Sequence, residues 1–164
     1  MRFCRFEQAG TVRYGSLDGD CIRVLAEAPF QGIRHTGESV PLAAVALRAP
    51  VEPPNIFAIG TNYQSHIDET GSPRPERPLI FIKATTSVIG PGDPIVLPRL
   101  APDEVDYEAE LVIVIGRRTR NIAPERALDA VFGYTCANDV TARDCQRKLD
   151  RDRKSTRLNS SHRI

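Results

Sequence analysis

The apolar residues of this chain fall in short runs, each closed within a few positions by a glycine, a proline or a charge. That spacing constrains the fold more than any other feature. Asn55-Ile56-Phe57-Ala58-Ile59-Gly60 and Leu79-Ile80-Phe81-Ile82-Lys83 read as strands, as do Ile95-Val96-Leu97-Pro98, the run from Val105 to Gly116, and Val131 to Asn138. Thr61 through Glu69 and Ala123 through Val131 read as helices, the latter with Pro124 in its first turn, where a missing N–H costs nothing. Many short strands with few helices predict a β-rich α+β fold.

The first fifty residues read as a small β module. Leu17-Asp18-Gly19-Asp20 is a hairpin turn signal, and Cys21-Ile22-Arg23-Val24-Leu25 follows it as a strand. Pro41 to Leu47 fits either a short strand or one helical turn. Ala49-Pro50-Val51-Glu52-Pro53-Pro54 is stiff and proline-rich, a linker between a module at 1–50 and a second domain at 55–150. Gly71 to Pro78 carries three prolines and reads as a loop. Lys154-Ser155-Thr156-Arg157-Leu158-Asn159-Ser160-Ser161-His162 shows no apolar periodicity and is similar to translated adapter or vector DNA, so 151–164 is expected to be a non-native or disordered tail.

Charge and cysteine content narrow the partners. Arg151, Arg153, Lys154, Arg157 and Arg163 lie in that tail against Asp152 alone, and without them the totals of 22 basic and 21 acidic side chains become a mild acidic excess. The body therefore carries no nucleic-acid footprint. No stretch approaches the roughly 18 apolar residues of a membrane span. Met1-Arg2-Phe3-Cys4-Arg5-Phe6 lacks the apolar core of a signal peptide. Cys4, Cys21, Cys136 and Cys145 form neither a CxxC pair nor a zinc spacing, and they read as free thiols of a cytoplasmic protein. Cys136 and Cys145 are expected to be small core residues.

Within Val105-Asp106-Tyr107-Glu108-Ala109-Glu110-Leu111-Val112, Glu108 and Glu110 are two apart, so on a strand they share a face. Two carboxylates that close repel unless a cation or a proton lies between them. Asp139, on a neighbouring strand, would complete a three-oxygen site for a hard divalent ion. A solvated strand end, with Asp139 elsewhere, is the equal alternative at this point. His66 and Glu69 are three apart, on one face of a helical turn, where the carboxylate can orient the imidazole for proton transfer. A surface contact with no chemistry is the plainer alternative. Lys83 ends an apolar strand and either binds a carboxylate or marks the strand reaching water. Arg143 and Gln146 follow Asp139 at four and seven residues, where a helix from near Thr141 would turn them toward the same site; pairing of Arg143 with Asp144 or Asp150 is the alternative. No nucleophile-elbow glycines, P-loop or dinucleotide fingerprint is present.

Taken together, Gly60-Thr61-Asn62-Tyr63-Gln64-Ser65-His66-Ile67-Asp68-Glu69, Phe81-Ile82-Lys83, Asp106-Tyr107-Glu108-Ala109-Glu110-Leu111 and Asn138-Asp139-Val140-Thr141-Ala142-Arg143-Asp144-Cys145-Gln146 resemble the fumarylacetoacetate hydrolase family in its bacterial form with a small N-terminal module. The resemblance implies a mixed β-roll, incomplete here because the family domain continues well past the Arg-Asp-x-x-Gln block with a further active-site lysine and later strands. It implies Mg²⁺ or Mn²⁺ held by Glu108, Glu110 and Asp139, a catalytic dyad of His66 and Glu69, and a pocket lined by Arg143 and Gln146; Lys83, from its own position at a strand end, is the further candidate to bind substrate. It implies cleavage, decarboxylation or isomerisation of small 2-oxo or 1,3-diketo acids through a metal-stabilised enolate, and a homodimer in the full-length form. A catalytically inactive metal-binding fragment is the first alternative; a calcium-stabilised β module without chemistry is another, which the His66–Glu69 pair disfavours. A half sheet leaves edges and core surface uncovered, so the 164-residue chain is expected to be unstable or to aggregate.

Overall fold

The computed structural model describes residues 1–146; the tail expected at 151–164 lies outside them. The chain divides into two compact units, one of Met1–Glu52, Ile89–Pro94 and Ala109–Asn138, the other of Pro53–Val88, Ile95–Glu108 and the chain from Asp139 onward.

In the first unit, β1 (Phe3–Gln8), β2 (Thr11–Asp18), β3 (Cys21–Leu25), β4 (His35–Pro41) and β5 (Ala46–Arg48) form an antiparallel sheet in the order β4-β3-β2-β1-β5. Alternation decides which residues go inside. Cys4 and Phe6 of β1 are buried while Phe3 and Arg5 are half-exposed; Ile22 and Val24 of β3 and Val40 of β4 join them, packed by Leu17, Leu42, Val45 and Leu47. Fully burying side chains such as Phe6 and Ile22 is worth roughly 1.5–3 kcal/mol each. The β2–β3 hairpin turns at Gly19, whose φ of 58° lies in the left-handed region that side chains avoid. Pro41 to Leu47 holds both candidate conformations in succession: β4 ends at Pro41, Leu42–Ala44 makes one 3₁₀ turn, and β5 begins at Ala46.

The second unit opens with β6 (Ile56–Gly60), the short helix α1 (Gln64–Thr70) and β7 (Leu79–Lys83), with β6 and β7 antiparallel from Ile56 opposite Lys83 to Gly60 opposite Leu79. Thr61, between β6 and α1, has a φ of 53°, a conformation that a β-branched residue adopts only when its surroundings impose it. Gly71 closes α1 in the left-handed conformation, its N–H donating to the Ile67 carbonyl.

The run from Val105 to Gly116 is not one strand. It divides into β8 (Val105–Asp106) and β9 (Ala109–Ile115), and the boundary between the two compact units falls between Glu108 and Ala109. Each half has its own partner: β9 pairs with β10 (Val131–Asn138), and β8 with β11 (Thr141–Ala142), both antiparallel. The break explains why Glu108 lies outside both strands. The expected strand at Ile95 to Pro98 is absent; the segment is irregular, with Val96 and Leu97 exposed, because Pro94 and Pro98 bracket it and deny it ladder donors. The helix expected from Ala123 is a 3₁₀ helix, Pro124–Ala130. Cys136 is exposed rather than a core residue, since it lies on the outward face of β10 beside Tyr134. Cys145 is half-buried.

Candidate metal and acid–base site

The β8–β11 ladder sets the geometry. Thr141 faces Asp106 across it, the Arg143 N–H donates to the Glu104 carbonyl at 2.6 Å, and the Asp139 N–H donates to the Glu108 carbonyl at 2.8 Å. Glu104, Asp106 and Glu108 on one side thus run opposite Arg143, Thr141 and Asp139 on the other. Residues two apart share a face, and directly opposed residues have Cβ atoms about 5 Å apart. Glu108 and Asp139 are therefore neighbours on the same face as Asp106 and Arg143. Two expected metal ligands come together here. The third, Glu110, lies on β9 in the first unit, opposite Ala137 of β10.

Each carboxylate of that pair has a cationic partner. Lys83, the last residue of β7, donates its Nζ to Asp139 Oδ1, and only 4% of Lys83 and 7% of Asp139 is exposed. Lys83 thus neither marks a strand reaching water nor offers itself to a solute. A buried charge needs a partner that repays its desolvation, and each is the other's. Arg143 forks between two carboxylates, Nε to Asp106 Oδ2 at 2.7 Å and NH2 to Glu108 Oε1 at 2.7 Å. Its NH1 donates to the Gln146 side-chain oxygen at 2.9 Å. The register of β8 against β11 brings Asp106 and Glu108 to Arg143 in place of the expected Asp144, and Asp150, the other expected partner, lies outside the described residues. Thr141 and Ala142 form β11, and helical geometry begins directly after them, running from Arg143 to Gln146 at the end of the described residues; the helix expected near Thr141 is thus present two residues later and brings Gln146 to the Arg143 guanidinium.

Asp106, which precedes Glu108 by two and shares its strand parity, joins the site only through the register of β8 against β11, which no local signal in the sequence fixes. His66 and Glu69 both lie on α1 and are exposed, with no ion pair joining them among the described residues. Among the described residues, no three His, Cys, Asp or Glu side chains stand gathered as metal ligands. The donor chemistry nevertheless fits a hard divalent cation: Glu108 and Asp139 are adjacent carboxylates, and oxygen-only ligation suits Mg²⁺ or Mn²⁺.

Residues 55–163 match the family model for the fumarylacetoacetate (FAA) hydrolase C-terminal domain, and residues 1–50 match that for the Rv2993c-like N-terminal domain. Protein Rv2993c of Mycobacterium tuberculosis is 42% identical over 153 residues, which cover 89% of this chain and 57% of that protein. The crystal structure of 5-carboxymethyl-2-hydroxymuconate delta-isomerase from Mycobacterium smegmatis aligns with a TM-score of 0.85 at 39% identity, over 99% of this chain and 62% of that one. Maleylpyruvate hydrolase from Sphingobium, solved with manganese(II) and pyruvate, aligns with a TM-score of 0.66 at 31% identity, over 87% of this chain and 60% of that one. The chain thus spans about three fifths of the length of these relatives, and the β-rich architecture is theirs. Two domain matches laid end to end, and the likeness to these solved structures, place the chain in the fumarylacetoacetate hydrolase family.

Proposed function

We propose that this chain carries the metal-binding and acid–base portion of a divalent-metal-dependent hydrolase or lyase of small 2-oxo or 1,3-diketo acids. The observation that carries this reading is the opposed pair Glu108 and Asp139, each beside a cationic side chain, Arg143 and Lys83 respectively. In this reading Glu108 and Asp139 hold Mg²⁺ or Mn²⁺, and Glu110, two residues from Glu108 in sequence, supplies the third carboxylate. The bound ion supplies Lewis-acid stabilisation of negative charge developing on the oxo group. The chain's own residues do the rest. Lys83 fixes the orientation of Asp139. Arg143, beside the ligands, binds the substrate carboxylate, and Gln146 holds the guanidinium from its far side. His66, with Glu69 three residues further along α1, takes a proton from water for attack on the second carbonyl, or moves a proton between carbon and oxygen.

The names of the relatives, an isomerase and a hydrolase, support the substrate class and leave the reaction open between hydrolysis, decarboxylation and isomerisation. Four free thiols support a reducing, cytoplasmic setting, and the reading includes a homodimer at the relatives' full length. A second reading, a metal-binding fragment without turnover, is favoured by one fact: the chain spans 57% of Rv2993c. Following the absorbance of oxaloacetate or an acylpyruvate with Mg²⁺ or Mn²⁺ added separates the two. Metal-dependent turnover supports the enzyme, metal binding without turnover supports the fragment, and neither effect overturns both.

A further inference from the structure

The two cations beside the carboxylate pair differ in how firmly they are held. Lys83 and Asp139 are sealed together, with side-chain exposures of 5% and 10%. The Lys83 ammonium is closed off from solution, so it is not a cation that exchanges. Arg143 is different. Its own side chain is 15% exposed, but its partners Asp106 and Glu108 are 54% and 29% exposed. Water therefore competes for both carboxylates, and a contact so placed exchanges cheaply. Asp106 and Glu108 are also on one strand face two residues apart, so the guanidinium can loosen from Glu108 while its Nε remains on Asp106.

Resting on the reading above, we propose that Arg143 is an exchangeable counter-ion: it neutralises Glu108 until a divalent cation takes that carboxylate, and is then handed to the carboxylate of the oxo acid. Two like-charged groups cannot share Glu108 closely at low cost, so the cation displaces the guanidinium. The released NH2 edge keeps its anchors at Asp106 and Gln146 and presents a donor beside the cation. A planar guanidinium suits a carboxylate in a way that an ammonium does not. The consequence is an order: metal first, substrate anion second, with the first event creating the site for the second.

Mn²⁺ binding to the full chain, read from the electron paramagnetic resonance signal of free Mn²⁺, tests the hand-over. Arg143→Gln removes the competitor and is expected to bind Mn²⁺ at least threefold more tightly than the parent. Arg143→Lys keeps the charge and is expected to stay within twofold. Calorimetry with oxalate, corrected for its chelation of free Mn²⁺, is expected to show binding to the parent only when Mn²⁺ is present, weakened at least tenfold in Arg143→Gln. Weaker Mn²⁺ binding in Arg143→Gln, with an unchanged circular dichroism spectrum, would mean that the guanidinium merely orients Glu108, and the proposal fails. Oxalate binding of equal strength without Mn²⁺ also overturns it. A parent chain that binds no Mn²⁺ at all removes the metal reading itself, an outcome distinct from the other two.

Discussion

Lys83 and Asp139 show how one contact can commit a whole region. Their ion pair joins the end of β7 to the head of β11, and both partners are buried. Lys83→Met leaves Asp139 charged, desolvated and short of a partner, which is expected to cost about 3 kcal/mol. Urea denaturation checks it. A Lys83→Met variant as stable as the parent would show that Asp139 is accommodated without a cationic partner. The roles proposed for His66 and Glu110 separate in a full-length version of the enzyme. His66→Ala should bind Mn²⁺ as the parent does and lose turnover, whereas Glu110→Ala should lose metal-dependent turnover because a ligand is gone. Lost metal affinity in the first, or retained turnover in the second, would reverse those assignments.

The cysteines make a further test at this scale. Burial pushes the Cys4 thiol above its ordinary pKa, because the thiolate is poorly solvated beside Phe6. A raised folded-state pKa means that stability from the neutral thiol is complete below the unfolded value, roughly 8.5. It is lost as pH rises from there through the folded value. Iodoacetamide at neutral pH should therefore label the exposed Cys21 and Cys136 and spare Cys4. A loss of stability in the alkaline range should shrink in Cys4→Ala. Early labelling of Cys4 in folded protein would contradict its burial.

At the scale of elements, close approach between strands sets the tolerance. A Cβ at Gly15 in β2 would lie 2.2 Å from Ile22 Cγ2, with Phe6 Cε1 at 3.3 Å. Gly15→Ala should therefore overpack the small sheet and cost about 1–3 kcal/mol in a thermal or urea melt. An unchanged midpoint would show that Ile22 has room to rotate away. Strands of this kind were legible in sequence wherever an apolar run was bounded by turn residues. Residues 56–60, 79–83 and 131–138 are strands within a position or so of where the runs predicted them. The break between β8 and β9 was not legible, because apolar periodicity is continuous through Leu111 to Ile115, and only the partners chosen by each half divide it. The same limitation hid the Asp106–Arg143 contact, which depends on register across β8 and β11 and on no local signal. At Ile95 to Pro98 an apolar run bounded by turn residues predicts a strand, but the prolines at both ends deny it ladder donors.

For the whole molecule, the decisive quantity is the apolar surface that remains outside. In the first unit, Leu111, Ile113 and Ile115 lie on one face of β9 at 60%, 51% and 59% exposure, with Cys136 and Tyr134 opposite the first two on β10. In the second, Phe57 of β6 faces Ile82 of β7, and Ile80 shares that strand's parity; all three are exposed. Single exposed apolar residues are ordinary, but contiguous faces of four large side chains with a cysteine, and of three, are not. Alternation is the cause: β9 has apolar residues at every position from Leu111 to Ile115, so one face is left outward whichever way the strand turns. The 164-residue chain is therefore expected to self-associate at micromolar concentration, more strongly in sulfate, which favours apolar burial. Sedimentation velocity across a concentration series measures this. Ile113→Lys and Ile80→Lys, each on an outward face, should shift the chain toward monomer without lowering its melting temperature, since neither side chain belongs to a buried cluster. A parent that stays monomeric at high concentration would show that these faces are not sticky. A large drop in melting temperature for either lysine variant would show instead that the face is packed within the folded chain.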